Sequence, residues 1–163
     1  MMRVFLDTIY LMPLFRLENS VNLKIEEIKK LLTRDDLRFL YQMVSLIELK
    51  WIIIRGGENN DDLRDDLEDA FSNSLRYLED NTKILTLSID SDTINDVSYE
   101  LEKYGHRDYF DTLILASAIL HADILLTEDD AFIKLVDKQR QMKSVFYNPN
   151  LRILKWKEFM KTI

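Results

Sequence analysis

The chain has no cysteine. Disulfides, thiolate metal sites and a thiol nucleophile are therefore excluded, and the composition fits a reducing compartment. Glycine and proline are scarce, at 3 and 2 residues, which argues against a disordered or loop-rich chain. Histidine is limited to His106 and His121, and no metal-binding spacing joins either to another ligand type. Long apolar runs are missing as well. The longest, such as Leu113 to Leu120, fall far short of the roughly 20 residues needed to span a bilayer. The apolar opening is interrupted by Arg3 and Asp7, too early for a signal peptide. A cytoplasmic protein with no membrane partner is expected.

A length of 163 residues predicts a single domain over residues 1–163. A chain of this size buries roughly 70% of its unfolded surface and needs no staples. The net charge of −7 disfavours a nucleic-acid partner when taken alone. Its distribution says otherwise. Residues 131–163 carry eight Lys and Arg against only Asp137 and Glu158. That basic tail reads either as a contact for phosphates or an acidic partner, or as a solvated helix face.

Strand-like and helix-like segments alternate. Met2 to Leu6, Leu37 to Met43, Lys83 to Ser88 and Asp123 to Thr127 read as strands, with Ser144 to Tyr147 as a fifth. A helix starts at Asp7 or Thr8 and falters near Pro13, and Leu23, Ile25, Ile28, Leu31 and Leu32 recur at helical spacing. Ser45-x-x-Glu48 has the form of a capping box before an apolar helix that Gly56-Gly57 ends. A polar break at residues 58–62 precedes a helix with an acidic outer face, set by Leu63, Leu67, Phe71, Leu75 and Leu78. Asp90 is the expected cap of a helix that Gly105 closes. Asp108 to His121 is the most apolar helix, and Thr127 to Asp130 starts another. The predicted class is α/β: a three-layer α/β/α fold with a central, mostly parallel sheet.

Four acids stand where apolar segments end or helices begin: Asp7, Glu48, Asp111 and Asp129. A lone charge beside apolar sequence is costly unless paired or bound to a cation. Asp7 and Asp129 lie at or just past the C-terminal ends of predicted strands, where open α/β sheets place their ligands. If the four converge, they form an oxygen-rich cage suited to Mg²⁺ or Mn²⁺. Each has a plainer reading. Asp7 could cap the first helix, and Glu48 could serve the Ser45 backbone. Asp111, three residues after Asp108, could be a first-turn acid favoured by the helix dipole. Asp129 competes with Glu128 and Asp130, and Asp130 is the expected capping partner of Thr127.

In these segments the chain resembles the PIN-domain family of metal-dependent ribonucleases. The resemblance rests on Val4-Phe5-Leu6-Asp7-Thr8, Val44-Ser45-Leu46-Ile47-Glu48-Leu49, Asp111 through Ala118, and Leu125-Leu126-Thr127-Glu128-Asp129-Asp130-Ala131-Phe132, in that order. It implies a PIN-like fold and a Mg²⁺- or Mn²⁺-dependent endoribonuclease that hydrolyses RNA phosphodiester bonds. Many small relatives are VapC-like toxins silenced by an antitoxin, so a type II toxin role is implied too. On this reading Asp7 and Asp111 bind metal, Glu48 binds metal or orients its water, and Asp129 completes the cage. Thr8 or Thr127 would hydrogen-bond a carboxylate or the scissile phosphate. The family often has Asn or Ser two places after the first Asp; Ile9 stands there, which bears on metal affinity.

The competing readings are a PIN-like RNA- or protein-binding module without turnover, and an rRNA-maturation nuclease. A haloacid-dehalogenase-like phosphatase would want an Asp where Ile9 is. An antitoxin would dock a helix or extended segment near the acids, inserting an Arg, with Leu11, Leu14, Phe15 and Ile25 as exposed candidates. A homodimer is compatible with a composition that is 47% hydrophobic. His106 reads as a surface or capping residue, or as an RNA contact. The acidic run from Asp61 to Asp69 lacks the EF-hand pattern and reads as a solvated helix face. Trp51 and Trp156 read as packing residues that could also stack bases.

Overall fold

The structure is a computed structural model that describes residues 1–58 and 61–163. Its elements run β1 (Met2–Leu6), α1 (Thr8–Leu11), a 3₁₀ turn (Met12–Phe15), α2 (Ile25–Leu32), β2 (Leu37–Gln42), α3 (Val44–Gly56) and α4 (Asp61–Asp80). They continue with β3 (Ile84–Leu87), α5 (Asp92–Lys103), α6 (Tyr109–His121), β4 (Ile124–Leu126), α7 (Asp130–Gln141), β5 (Arg152–Leu154) and α8 (Trp156–Thr162). The polar break read at 58–62 falls partly on residues 59 and 60, outside the described residues.

The strands form one sheet in the order β3-β2-β1-β4-β5, and all four pairings are parallel. Parallel neighbours need crossover connections, so helices cover both faces. The two-residue period of the strands supplies an apolar surface to each. Val4 and Leu6 join Phe39, Tyr41, Ile124 and Leu126 in one core, under α1, α2, α4 and α8. Phe5, Leu40 and Leu125 point the other way, into a core built with α5, α6 and α7. The result is the expected three-layer α/β/α fold.

Several local expectations change. The fifth strand is Arg152–Leu154, not Ser144 to Tyr147. Lys143 takes a positive φ of 54°, Ser144 N–H closes back on Gln139 O, and Ser144 Oγ accepts from Phe146 N–H. Those local bonds leave that backbone no ladder to join. Helix α5 is capped by Ser91, whose Oγ accepts from Ile94 N–H, rather than by Asp90. Gly57 ends α3 because α4 crosses close by: a Cβ there would lie 2.5 Å from Arg64 Cβ. The acidic run lies on helix α4, where Asp62, Asp65, Asp66 and Asp69 are exposed.

The surface proposed for an antitoxin also changes. Leu11, Leu14 and Phe15 are buried, at 0%, 3% and 0% exposure, and Ile25 is half-buried. The 3₁₀ turn is pinned beneath α4, where Ser74 Oγ donates to Leu14 O and Phe15 packs on Phe71. Exposed apolar side chains lie instead on α3, at Met43, Ile47, Trp51 and Ile54.

Candidate active site

The C-terminal ends of β1 and β4 lie side by side, with Phe5 beside Leu125 and Leu6 beside Leu126. The next residue on each strand enters the site. Asp7 leaves β1, its N–H still donating to Leu126 O, and turns at once into α1. It is the cap of that helix, with Oδ1 accepting from Thr8 N–H at 2.7 Å. Its other oxygen, Oδ2, accepts from Thr127 Oγ1 at 2.6 Å. The two readings of Asp7 therefore do not compete: capping orients the carboxylate toward β4.

Thr127 is buried and bifunctional. Its hydroxyl donates to Asp7 and accepts from Asp129 N–H at 3.0 Å. Asp129, not Asp130, caps α7, with Oδ1 accepting from Ala131 N–H at 2.7 Å. Asp130 faces outward to Lys155 at 2.9 Å, so the expected Thr127–Asp130 pair is absent. Thr127 hands its capping bond to the residue two along because β4 turns directly into the helix.

The Ser45–Glu48 capping box does not form. Helix α3 follows β2 with only Met43 between, so Ser45 is already inside it and its backbone is committed to the helix. Glu48 instead reaches Thr8: Thr8 Oγ1 hydrogen-bonds Glu48 Oε2, and lies 2.9 Å from Ser45 Oγ. A threonine hydroxyl carries one proton and two lone pairs. With that proton on the Glu48 carboxylate, Ser45 O–H donates to Thr8. The buried Ser45, Thr8 and Glu48 form a short relay joining α3 to the first turn of α1.

Asp111 sits in the first turn of α6, whose cap is Asp108; Asp108 Oδ1 accepts from Phe110 N–H at 3.0 Å. Asp108 is thereby spent on backbone, and the Asp111 side chain is released. Asp111 Oδ2 lies 3.0 Å from His106 Nε2. His106 is held edge-on to the buried Phe132 of α7, with ring centroids 6.3 Å apart. Sequence reasoning read His106 as a surface or capping residue or an RNA contact, without pairing it to Asp111, and gave Ser45 only a capping role. The signal for His106 was Gly105, which takes φ 99° and turns the chain back across the helix start.

The charges couple. Burial pushes Asp7 up to about 6; hydrogen bonds from Thr127 and Thr8 oppose this, while Asp111 and Asp129 add to it. Burial pushes Glu48 up to about 7, against the Thr8 hydrogen bond and with help from Asp7, Asp111 and Asp108. Asp111 is raised too, by burial first, with His106 opposing and Asp108 and Asp129 reinforcing. Like charges that raise one another share one pocket. Among the described residues, no Lys or Arg forms an ion pair with any of the four acids. Nor, among those residues, do three His, Cys, Asp or Glu groups close on one point as ligands of a single ion. The acids form an open anionic pocket in which protein donors hold both oxygens of Asp7 and one oxygen each of Glu48, Asp111 and Asp129.

Across 93% of its length the chain is similar in fold to a chain of the complex described as FitAB bound to an IR36 DNA fragment, at 14% identity, 94% coverage of that chain and a TM-score of 0.49. It is similar in fold to a chain of VapBC2 from Rickettsia felis, bound to a DNA fragment from their promoter, at 17% identity and a TM-score of 0.52. That alignment covers 95% of this chain and 99% of the other. No curated protein matches. Residues 4–138 match the PIN domain, which spans β1 through most of α7 and all four acids, and the chain therefore belongs to the PIN domain family.

Proposed function

We propose that this chain is a Mg²⁺- or Mn²⁺-dependent endoribonuclease, a single-domain cytoplasmic protein acting as the toxin of a type II toxin–antitoxin pair. The observation that carries the nuclease reading is the pocket of Asp7, Glu48, Asp111 and Asp129, in which burial and neighbouring carboxylates raise Asp7, Glu48 and Asp111 and, among the described residues, no Lys or Arg pairs with any of the four. PIN-family membership supports a nuclease. The VapC-like sequence segments support the toxin role, as does the fold likeness to a chain of the VapBC2 complex.

The donor set fits a hard divalent cation. It is all oxygen, it is anionic, and among the described residues no Lys or Arg pairs with it. Asp7 and Asp111 would hold the ion, with Asp129 and Glu48 completing the set. Bound there, a divalent ion supplies an acidified water and neutralises charge on the phosphate. The protein's own groups do the remaining work. Thr127 and Thr8 fix the two Asp7 oxygens. Glu48, which burial pushes up to about 7, would bind the ion or orient its water. His106 steadies Asp111.

One observation favours the non-catalytic binding module: among the described residues no three ligand groups converge as a finished site. A labelled RNA panel separates the two readings. Cleavage dependent on Mg²⁺ or Mn²⁺ and lost on Asp7→Asn is expected. Cleavage without metal, or surviving that substitution, overturns the nuclease proposal. For the toxin role, induced expression should arrest growth and a co-encoded partner should relieve it; harmless expression of active enzyme rejects it.

A further inference from the structure

Two adjoining cavities lead away from the acids toward the C-terminal segment. The smaller, about 200 Å³, is lined by Thr127, Asp129, Lys155 and Glu158, among others. The larger, about 570 Å³, is lined by Asn22, Glu128, Lys155, Trp156, Lys157 and Glu158, among others. Lys155 and Glu158 border both, so the two cavities are neighbours, one beside Asp129 and the other beside Trp156. Its wall is built by β5 and the start of α8, beyond the residues that match the family.

Trp156 is held firmly there. It stacks on the buried Tyr10 at 6.0 Å between centroids and 29° between planes, and packs on the buried Phe159 at 6.2 Å. Its N–H donates to Tyr10 Oη at 3.1 Å. The two acids in the larger cavity have internal donors. Glu128 accepts from Tyr10 O–H at 2.7 Å, and Glu158 accepts from the Lys155 N–H at 3.0 Å. The cations are more available: Lys157 is exposed, and the ion pair of Lys155 is with the outward Asp130, with Glu128 and Glu158 adding weaker attraction.

We infer that the Lys155–Trp156–Lys157 cavity is the subsite for a nucleotide flanking the cleaved bond of single-stranded RNA. Its base lies against Trp156 and its phosphates against Lys155 and Lys157. This rests on the ribonuclease reading and deepens it. A pre-fixed aromatic beside two cations is the pairing that single strands use, since every base has a stacking face and every linkage a charge. The volume is in the range that takes one small ligand. A base inside a duplex cannot enter, so the substrate presents an unpaired stretch there. The local Lys pair also accounts for RNA binding by a chain of net charge −7.

The chain has two tryptophans, and Trp51 lies exposed on α3, so Trp51→Phe leaves Trp156 as sole reporter. A six-residue oligouridylate or oligoadenylate is titrated into this full-length variant in chelator, where no metal-dependent cleavage occurs. Saturable quenching of Trp156 is expected. Lys157→Glu should weaken binding roughly tenfold and flatten the slope of log affinity against log salt by about 0.7. Trp156→Ala removes packing as well as stacking, so the exposed Lys157 carries the mutational arm. Oligonucleotide binding by anisotropy with Trp156 emission unmoved overturns the subsite. Quenching by an added partner protein but by neither oligonucleotide also overturns it, making the cavity a protein-docking surface. The two proposals fail separately. Metal-dependent cleavage with silent Trp156 keeps the nuclease and rejects the subsite. Quenching without cleavage in Mg²⁺ or Mn²⁺ rejects the nuclease and reduces the cavity to a single-strand binding site without turnover.

Discussion

The two edges of the same parallel sheet treat their acids in opposite ways. At the amino edge each nearby acid has a basic partner. Asp123 takes Arg3 Nη2 at 3.0 Å and the Arg3 N–H at 2.8 Å. Asp36 takes Arg34 at 2.6 Å, and Asp35 takes Lys83 at 2.6 Å. Arg3 and Arg34 hold Asp123 and Asp36 below the usual carboxylate range. At the carboxyl edge Asp7, Glu48 and Asp111 are pushed above it, and among the described residues no Lys or Arg pairs with them. The amino edge is electrostatically complete. The carboxyl edge is left open, as a site would be whose missing charge comes from outside.

The sharpest way to break this contrast is to neutralise one acid at the open edge. Asp7→Asn or Asp111→Asn should lower RNA cleavage by roughly 10²-fold or more. The thermal midpoint without metal should hold or rise, because a like charge has been removed. A matching fall in stability would mean these acids serve the fold.

Next in size is the response to pH. A carboxyl whose folded pKa is raised binds more protons folded than unfolded, so stability falls as pH rises between the two values. For Asp7 that window runs from its ordinary 3.8 up to about 6. Metal-free protein should therefore gain stability, on the order of 2 kcal/mol, as pH drops from 7.5 toward 4.5. Because Asp7 is partly open to solvent, a smaller gain remains consistent. Saturating Mn²⁺ should flatten the profile, read by denaturant unfolding at each pH. A rise in metal-free stability between pH 5 and 7 would reverse the sign and reject the pocket's electrostatics.

Thr127→Val tests the donor that holds Asp7. It leaves the carboxylate one hydrogen bond short and should reduce cleavage about tenfold, with a raised Mn²⁺ requirement in the titration. Unchanged Mn²⁺ dependence would assign Thr127 to capping alone. The smallest effect belongs to the closed edge. Arg3→Gln breaks an ion pair whose partners are about half exposed, and should cost at most ~1 kcal/mol with no change in cleavage. A large activity loss there would erase the distinction between the edges.

Much of this was legible in the sequence. Four of five strands, the parallel α/β class and the four acids follow from apolar segments with period-two or helical spacing, stopped by Asp or Glu. These are properties of near neighbours. The misread cases each have a competing local bond. Ser144 to Tyr147 had strand-like residues, but Ser144 Oγ and the positive φ of Lys143 turned it. Ser45-x-x-Glu48 had the capping spacing, yet α3 began one residue before Ser45. Leu11, Leu14 and Phe15 looked available until α4 covered them.

By itself the sequence determined most of the strands and helices, and which acids stand at their ends, because those depend on side-chain period and backbone preference over a few residues. Only the tertiary structure decided who meets whom. Thr127 and Asp7 are 120 positions apart, and they bond because β1 and β4 pair through crossovers that no local pattern encodes. The same pairing chose Thr8 as the partner of Glu48 and, through the return of β5 to β4, set Trp156 against Tyr10 beside the acids.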